Sequence, residues 1–213
     1  MEQLADLSTI ALQYFALRLT TLKNLYEFQE EHNAEAVKAG DKWIEDTIQN
    51  LSEEDKEEFY NAHFDEHHEY SSVHPQLIRE GIFLQAYFNF ESCLNNYCNL
   101  KKTGLNLKKS YHDLDGSGIK RAMIFLRNYC EITEPFNSDE WKRIKTFNYL
   151  RNSLVHHNGY IEDLWKIPDG VVITEYEGSD KQTFTFDETF INHMFDTYIG
   201  FINRLDSNAI YSI

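Results

Sequence analysis

The stretch RNSLVHHNG, residues 151–159, gathers an arginine, an asparagine and two histidines in one apolar-punctuated run that stops at a glycine. Arg151 is a permanent cation whose planar fork of donors matches a phosphate, and His156 and His157 can take and give protons near neutral pH. Asn152 adds an amide beside them. That set suits phosphoryl chemistry on RNA, which carries its own nucleophile. Cleavage needs a group to take the proton of the 2′-hydroxyl, a group to protonate the leaving 5′-oxygen, and a cation against the charge of the crowded phosphorus. The plainer reading is a helix end, where cationic side chains complement the dipole. Upstream, YFNFESCLNNY places Glu91 at the margin of an apolar stripe, about 40° from Tyr87 on a helical wheel. A carboxylate there needs a partner or an exit to water, and a purely structural ion pair satisfies it as well as a functional one.

The elements that must hold these residues are helices. In NSDEWKRIKTFNYLRNSLVHHNG, Asn137 or Ser138 suits a cap, acidic residues follow in the first turn, and Gly159 terminates. Phe147, Leu150 and Leu154 form the apolar face, while Lys145, Asn148, Asn152 and His156 form a polar stripe. Arg151 lies about 60° from Asn148 and about 140° from His156. Arginine and histidine should therefore diverge on one helix, and two copies facing each other would close the gap.

Three-and-four periodicity dominates the rest of the chain. It predicts helices over residues 8–30, from a cap at Asp41, from Ser52 with its acidic first turn, from Pro75 to about Asn99, and from Ile119 to Tyr129, with a break near Pro135. GVVITEYEGSDKQTFTF alternates and should turn at EGSD, a β-hairpin over 171–186. Ile191, Phe195, Tyr198, Ile202 and Leu205 mark the final helix. The expected fold is mainly all-α, a bundle of five to seven helices with a small β-hairpin before the last one. It forms one domain over 1–213, with 27–70 an acidic helical elaboration.

The net charge of -15 excludes a uniformly cationic nucleic-acid binder, but the charge is segregated. Residues 101–151 hold 11 Lys and Arg against 6 Asp and Glu, and the motif closes that basic segment. Cys93, Cys98 and Cys130 are odd in number and lack CxxC spacing, which fits a reducing cytoplasm. No apolar run reaches the ~18 residues of a membrane span. His63 and His67 in HFDEHHEYSSVH are spaced to share a helix face, yet no further ligand pattern completes a zinc site, so a solvated face is expected. Asp113 and Asp115 resemble the opening of a calcium loop without its closing glutamate. No metal and no cofactor are expected.

RNSLVH resembles the signature of HEPN domains, a helical family containing many ribonucleases. The family pattern is an arginine, four to six residues and then a histidine, commonly with asparagine after the arginine, on a late helix. Arg151, Asn152 and His156 match it, and His157 satisfies the longer spacing. YFNFESCLNNY is similar to the earlier helix from which an acidic residue faces the arginine, the place Glu91 would take. The resemblance covers residues 74–205. It implies a metal-independent endoribonuclease, a toxin or antiviral effector acting on transfer or messenger RNA. It also implies a homodimer whose two motifs build one cleft, and an antitoxin or defence protein as partner. Some members of such a fold bind nucleotide or protein without cleaving, which is the alternative function.

Overall fold

The structure is a computed structural model that describes residues 2–162, 167–175, 182–206 and 211–213, with side chains from residue 8 onward. Helix α1 spans Glu2–Ile48, α2 Glu53–His68, α3 His74–Gly104, α4 Gly118–Tyr129 and α5 Asp139–His156. Strands β1 (Val171–Glu175) and β2 (Gln182–Phe186) precede α6 (Glu188–Leu205). The mainly-α fold with a hairpin before the last helix is as expected. The strands are antiparallel with Val171 opposite Phe186 and Glu175 opposite Gln182, while the EGSD turn lies outside the described residues.

Two boundaries differ from the periodicity. Asp41 caps nothing: α1 continues through it as one 47-residue helix. Between residues 30 and 40 the chain holds Glu, Ala and Lys and no proline, and Gly40 alone costs too little to stop a helix. Pro75 does sit in the first turn of α3, but α3 has no free start. A π-helical stretch, Glu69–Val73, joins it to α2 with helical backbone throughout. A proline in a regular α-turn would crowd the carbonyl four residues earlier and leave it unbonded; the wider turn, with His74 N–H bonded to the Glu69 carbonyl, relieves this. Ser52 caps as read, and of the two candidates Asn137 and Ser138 it is Ser138 that caps α5; the two serines accept from Asp55 N–H and Trp141 N–H at 3.2 Å each.

The core lies where α1, α3, α5 and α6 meet. Leu12, Phe15 and Leu19 of α1, Phe83, Phe90 and Leu94 of α3, Ile144 and Phe147 of α5 and Phe195, Tyr198 and Phe201 of α6 are buried together. Ring contacts knit the layers: Phe90 lies 4.7 Å from Tyr198 and 5.8 Å from Phe15, and Phe147 5.6 Å from Tyr198. The hairpin closes one end through Phe186, stacked on Phe190 at 4.3 Å and tilted on Phe83 at 4.8 Å. Gly170, at φ 82°, makes that closure: its carbonyl accepts from Asp187 N–H, and a Cβ there would collide with the Asp187 carboxylate and the Phe190 backbone. Arg79 of α3 ties the layers from the side, with both carboxylate oxygens of Glu30 at 2.7 Å and the Phe186 carbonyl at 3.3 Å. No helix among the described residues is long and apolar enough to cross a membrane.

Candidate functional site

Helix α5 delivers the motif because its opposite face is consumed by the core. Trp141, Ile144, Phe147 and Leu150 are buried, which rotates Arg151 and Asn152 to the half-buried edge and leaves His156 and His157 exposed at the end. The termination is built by backbone. The Ser153 carbonyl accepts from His157 N–H and Gly159 N–H at 3.0 Å each, and Asn158 and Gly159 turn the chain with φ of 52° and 76°. The Ser153 hydroxyl donates to the Tyr160 carbonyl, so the chain leaves the helix at a defined angle. It then runs beside β2, where Ile161 N–H meets the Gln182 carbonyl at 3.0 Å.

Arg151 and His156 do not diverge. Arg151 Nη1 lies 3.4 Å from His156 Nε2 and donates to Asn152 Oδ1 at 2.9 Å. The wheel angle describes Cα positions; the long arginine side chain crosses that angle and meets the imidazole one turn on. A guanidinium can only donate, so the contact fits a neutral imidazole presenting the Nε2 lone pair. The geometric need for a second copy to complete the pair therefore disappears.

The arginine is held by rings. Its guanidinium carbon lies 5.1 Å from the centroid of Phe88 and 5.7 Å from that of Tyr87, both on α3. Its Nε–H is buried without an acceptor, so the aromatic faces and the two Nη contacts fix the group. Tyr87 donates its hydroxyl to Asn148 Oδ1 at 2.6 Å, locking α3 to α5 beside the site. Burial first, and the Glu91 charge second, push the Tyr87 phenol well above its ordinary range, while Arg151 opposes them. This tyrosine stays a neutral donor.

Glu91 does not take the role expected of it. Among the described residues it forms no ion pair with Arg151, and its carboxylate points toward the start of α4, where a Cβ on Gly118 would lie 3.2 Å from Oε1. Phe88 occupies the place beside the guanidinium instead. Its charge still reaches the site through Tyr87, as a distant influence and not as a ligand. The sequence reading missed Phe88, Tyr87 and Asn148 as site residues. The aromatic pair standing three and four residues before Glu91 was the available signal.

The basic approach segment is partly spent on packing: Lys101, Lys109 and Arg121 lie over Tyr97, Tyr129 and Tyr111 at 5.0, 5.7 and 5.8 Å. In the acidic segment His67 Nε2 meets Asp41 Oδ1 at 2.7 Å, and His63 packs on Trp43 and Phe59. No cluster of three or more metal-ligating side chains occurs among the described residues. Comparison with protein-family models, curated proteins and solved structures returned no match, so the site stands on its motif and its geometry.

Proposed function

We propose that the chain is a metal-independent endoribonuclease of HEPN type, acting as a toxin or antiviral effector on transfer or messenger RNA. The observation that supports this reading most is the 3.4 Å approach of Arg151 Nη1 to His156 Nε2 at an exposed helix end, with the cation clamped by Tyr87 and Phe88. In this reading His156 takes the proton of the 2′-hydroxyl as that oxygen attacks phosphorus. Arg151 exchanges its histidine contact for the non-bridging oxygens, and Asn152 donates its amide N–H to the same phosphate. His157, equally exposed, protonates the departing 5′-oxygen. The products are a 2′,3′-cyclic phosphate, or its hydrolysis product, and a 5′-hydroxyl. The pair comes from one chain, so dimerisation is not needed to assemble it.

Incubation of the purified protein with RNA and with the matching DNA tests the reading. RNA alone is cut, EDTA leaves the rate intact, and Arg151→Ala or His156→Ala each lowers it by on the order of 10²-fold or more. Wild-type rates in both variants, or a rate abolished by EDTA and restored by a divalent metal, overturn it. Mixing Arg151→Ala with His156→Ala chains should restore nothing if each site is self-contained, whereas restored activity would return the site to two protomers. The acidic segment 27–70 favours a second reading, a non-catalytic module that binds a basic partner protein. Growth arrest on bacterial expression, relieved by Arg151→Ala, supports the nuclease; indifference to that substitution supports the module.

A further inference from the structure

Helix α1 carries two apolar faces, and the fold covers one. Leu12, Phe15, Leu19 and Tyr26 point into the core, while on the other side Ile10, Tyr14, Leu17, Leu25 and Phe28 are each between 50 and 63 % exposed. A surface helix ordinarily has one apolar stripe and a polar back. The outer line has a defined period. Ile10, Tyr14, Leu17, Thr21, Asn24 and Phe28 follow alternating steps of four and three, the spacing of a seam between two packed helices, and Leu25 flanks it. Beyond Phe28 the line passes through His32, stacked on Phe28 at 6.3 Å, into a shallow cleft shared with the exposed Leu77 of α3.

Charge narrows what this face can meet. Residues 8–28 contain only Arg18, Lys23 and Glu27, whereas residues 30–70 hold 14 Asp and Glu against 3 Lys. In a chain of net charge -15 the seam is where two copies approach with little repulsion. The five side chains expose on the order of 600 Å² of apolar surface. Two such faces together exceed the ~1,000 Å² that a specific interface requires.

We propose that this face docks a second copy of the chain, α1 against α1, in an antiparallel two-fold pair centred near residue 19. The arrangement sets Ile10 of one copy on Phe28 of the other, Tyr14 on Asn24 and Leu25, and Leu17 on Thr21, so the Asn24 amide meets a tyrosine hydroxyl instead of apolar surface. The parallel alternative would lay the two acidic segments side by side, and their repulsion disfavours it. The inference is independent of the ribonuclease reading, because its readout is association and not cleavage.

Sedimentation equilibrium of the full chain tests it. The wild type is a reversible dimer, and Leu17→Glu weakens it by on the order of 100-fold by placing a charge in the seam. Circular dichroism stays unchanged, since Leu17 is not a core residue, and melting falls only by what the lost association contributed, a difference that vanishes at low protein concentration. Should Leu17→Glu misfold, Phe28→Glu makes the same measurement at another exposed position. For orientation, Ile10→Cys chains mixed with Phe28→Cys chains form an intermolecular disulfide on oxidation, while Phe28→Cys chains alone do not. A monomeric wild type, which would leave the face to some other protein, overturns the proposal. So does a dimer that survives a folded Leu17→Glu variant, or a disulfide between two Phe28→Cys chains.

Discussion

Helices α3 and α2 join through one π-helical stretch, yet they differ in what holds them. Ten residues of α3 are buried and none of α2. Helix α3 carries Phe83, Tyr87, Phe90, Leu94 and Tyr97 on one face, and tertiary packing supplies most of its stability. Helix α2 relies on local devices: the Ser52 cap, acidic residues in its first turn and His67 and His68 in its last. Its aromatics settle for nearby contacts, Phe59 on Trp43 at 5.3 Å and an exposed Phe64 stacked on His68 at 5.8 Å. A helix needs only local signals to form, but only burial makes it rigid enough to position chemistry. The candidate site accordingly draws on α3 and α5.

The largest expected contrast is a truncation in each region. Phe90→Ala, a fully buried ring touching α1 and α6, should cost ~3–5 kcal/mol in urea unfolding. Phe64→Ala in α2 should stay within ~0.5 kcal/mol. Equal costs would mean that α2 has a packing partner absent from the fold described.

Alkaline pH probes the core side next. Burial raises the Cys93 thiol from an ordinary 9.0 to about 12 and that of Cys130 to about 11. A raised folded value means that the unfolded chain ionises first. Stability is therefore complete below about pH 9 and falls as pH climbs toward 11 and 12, by on the order of a few kcal/mol. Cys93→Ala should flatten the pH dependence of the melting temperature; an unchanged profile would show that Cys93 does not contribute.

Between α3 and α1, Arg79 and Glu30 form a two-pronged ion pair with each side chain 17 % exposed. Arg79→Met leaves Glu30 half-enclosed without its cation and should cost ~2–3 kcal/mol, with faster amide exchange in α1 near residue 30. Exchange in α1 that stays at the wild-type rate would show that the layers hold without this clamp. The smallest effect belongs to the outer segment. His67→Ala removes a well-exposed contact to Asp41 and should change global stability by less than ~1 kcal/mol while speeding exchange in α2 alone.

Much of the fold is legible in the sequence. The stripes of α3 and α6, the Ser52 cap, the cap at Ser138 from the Asn137 or Ser138 choice, the alternation of 171–175 and 182–186 and the Gly159 stop are local signals, and each formed where it was read. The Asp41 boundary failed because a potential cap is also an acceptable interior residue when good helix formers surround it. The motif residues were identified by type and spacing, but their mutual geometry was not. The expected divergence of Arg151 from His156 treated side chains as radial spokes, and the expected Glu91 partner ignored Phe88 beside it.

Sequence by itself determined which segments are helical, which faces are apolar and where an arginine, an asparagine and two histidines stand together, because these follow from period, capping and residue type. Tertiary structure alone decided that Arg151 rests on Tyr87 and Phe88 and meets His156, that Glu91 turns toward α4, and that one face of α1 stays uncovered. Those outcomes depend on the rotation of α3 against α5 and on where long side chains come to rest. Both are set by packing between residues some sixty positions apart, as the Tyr87–Asn148 bond shows, and no local pattern encodes them.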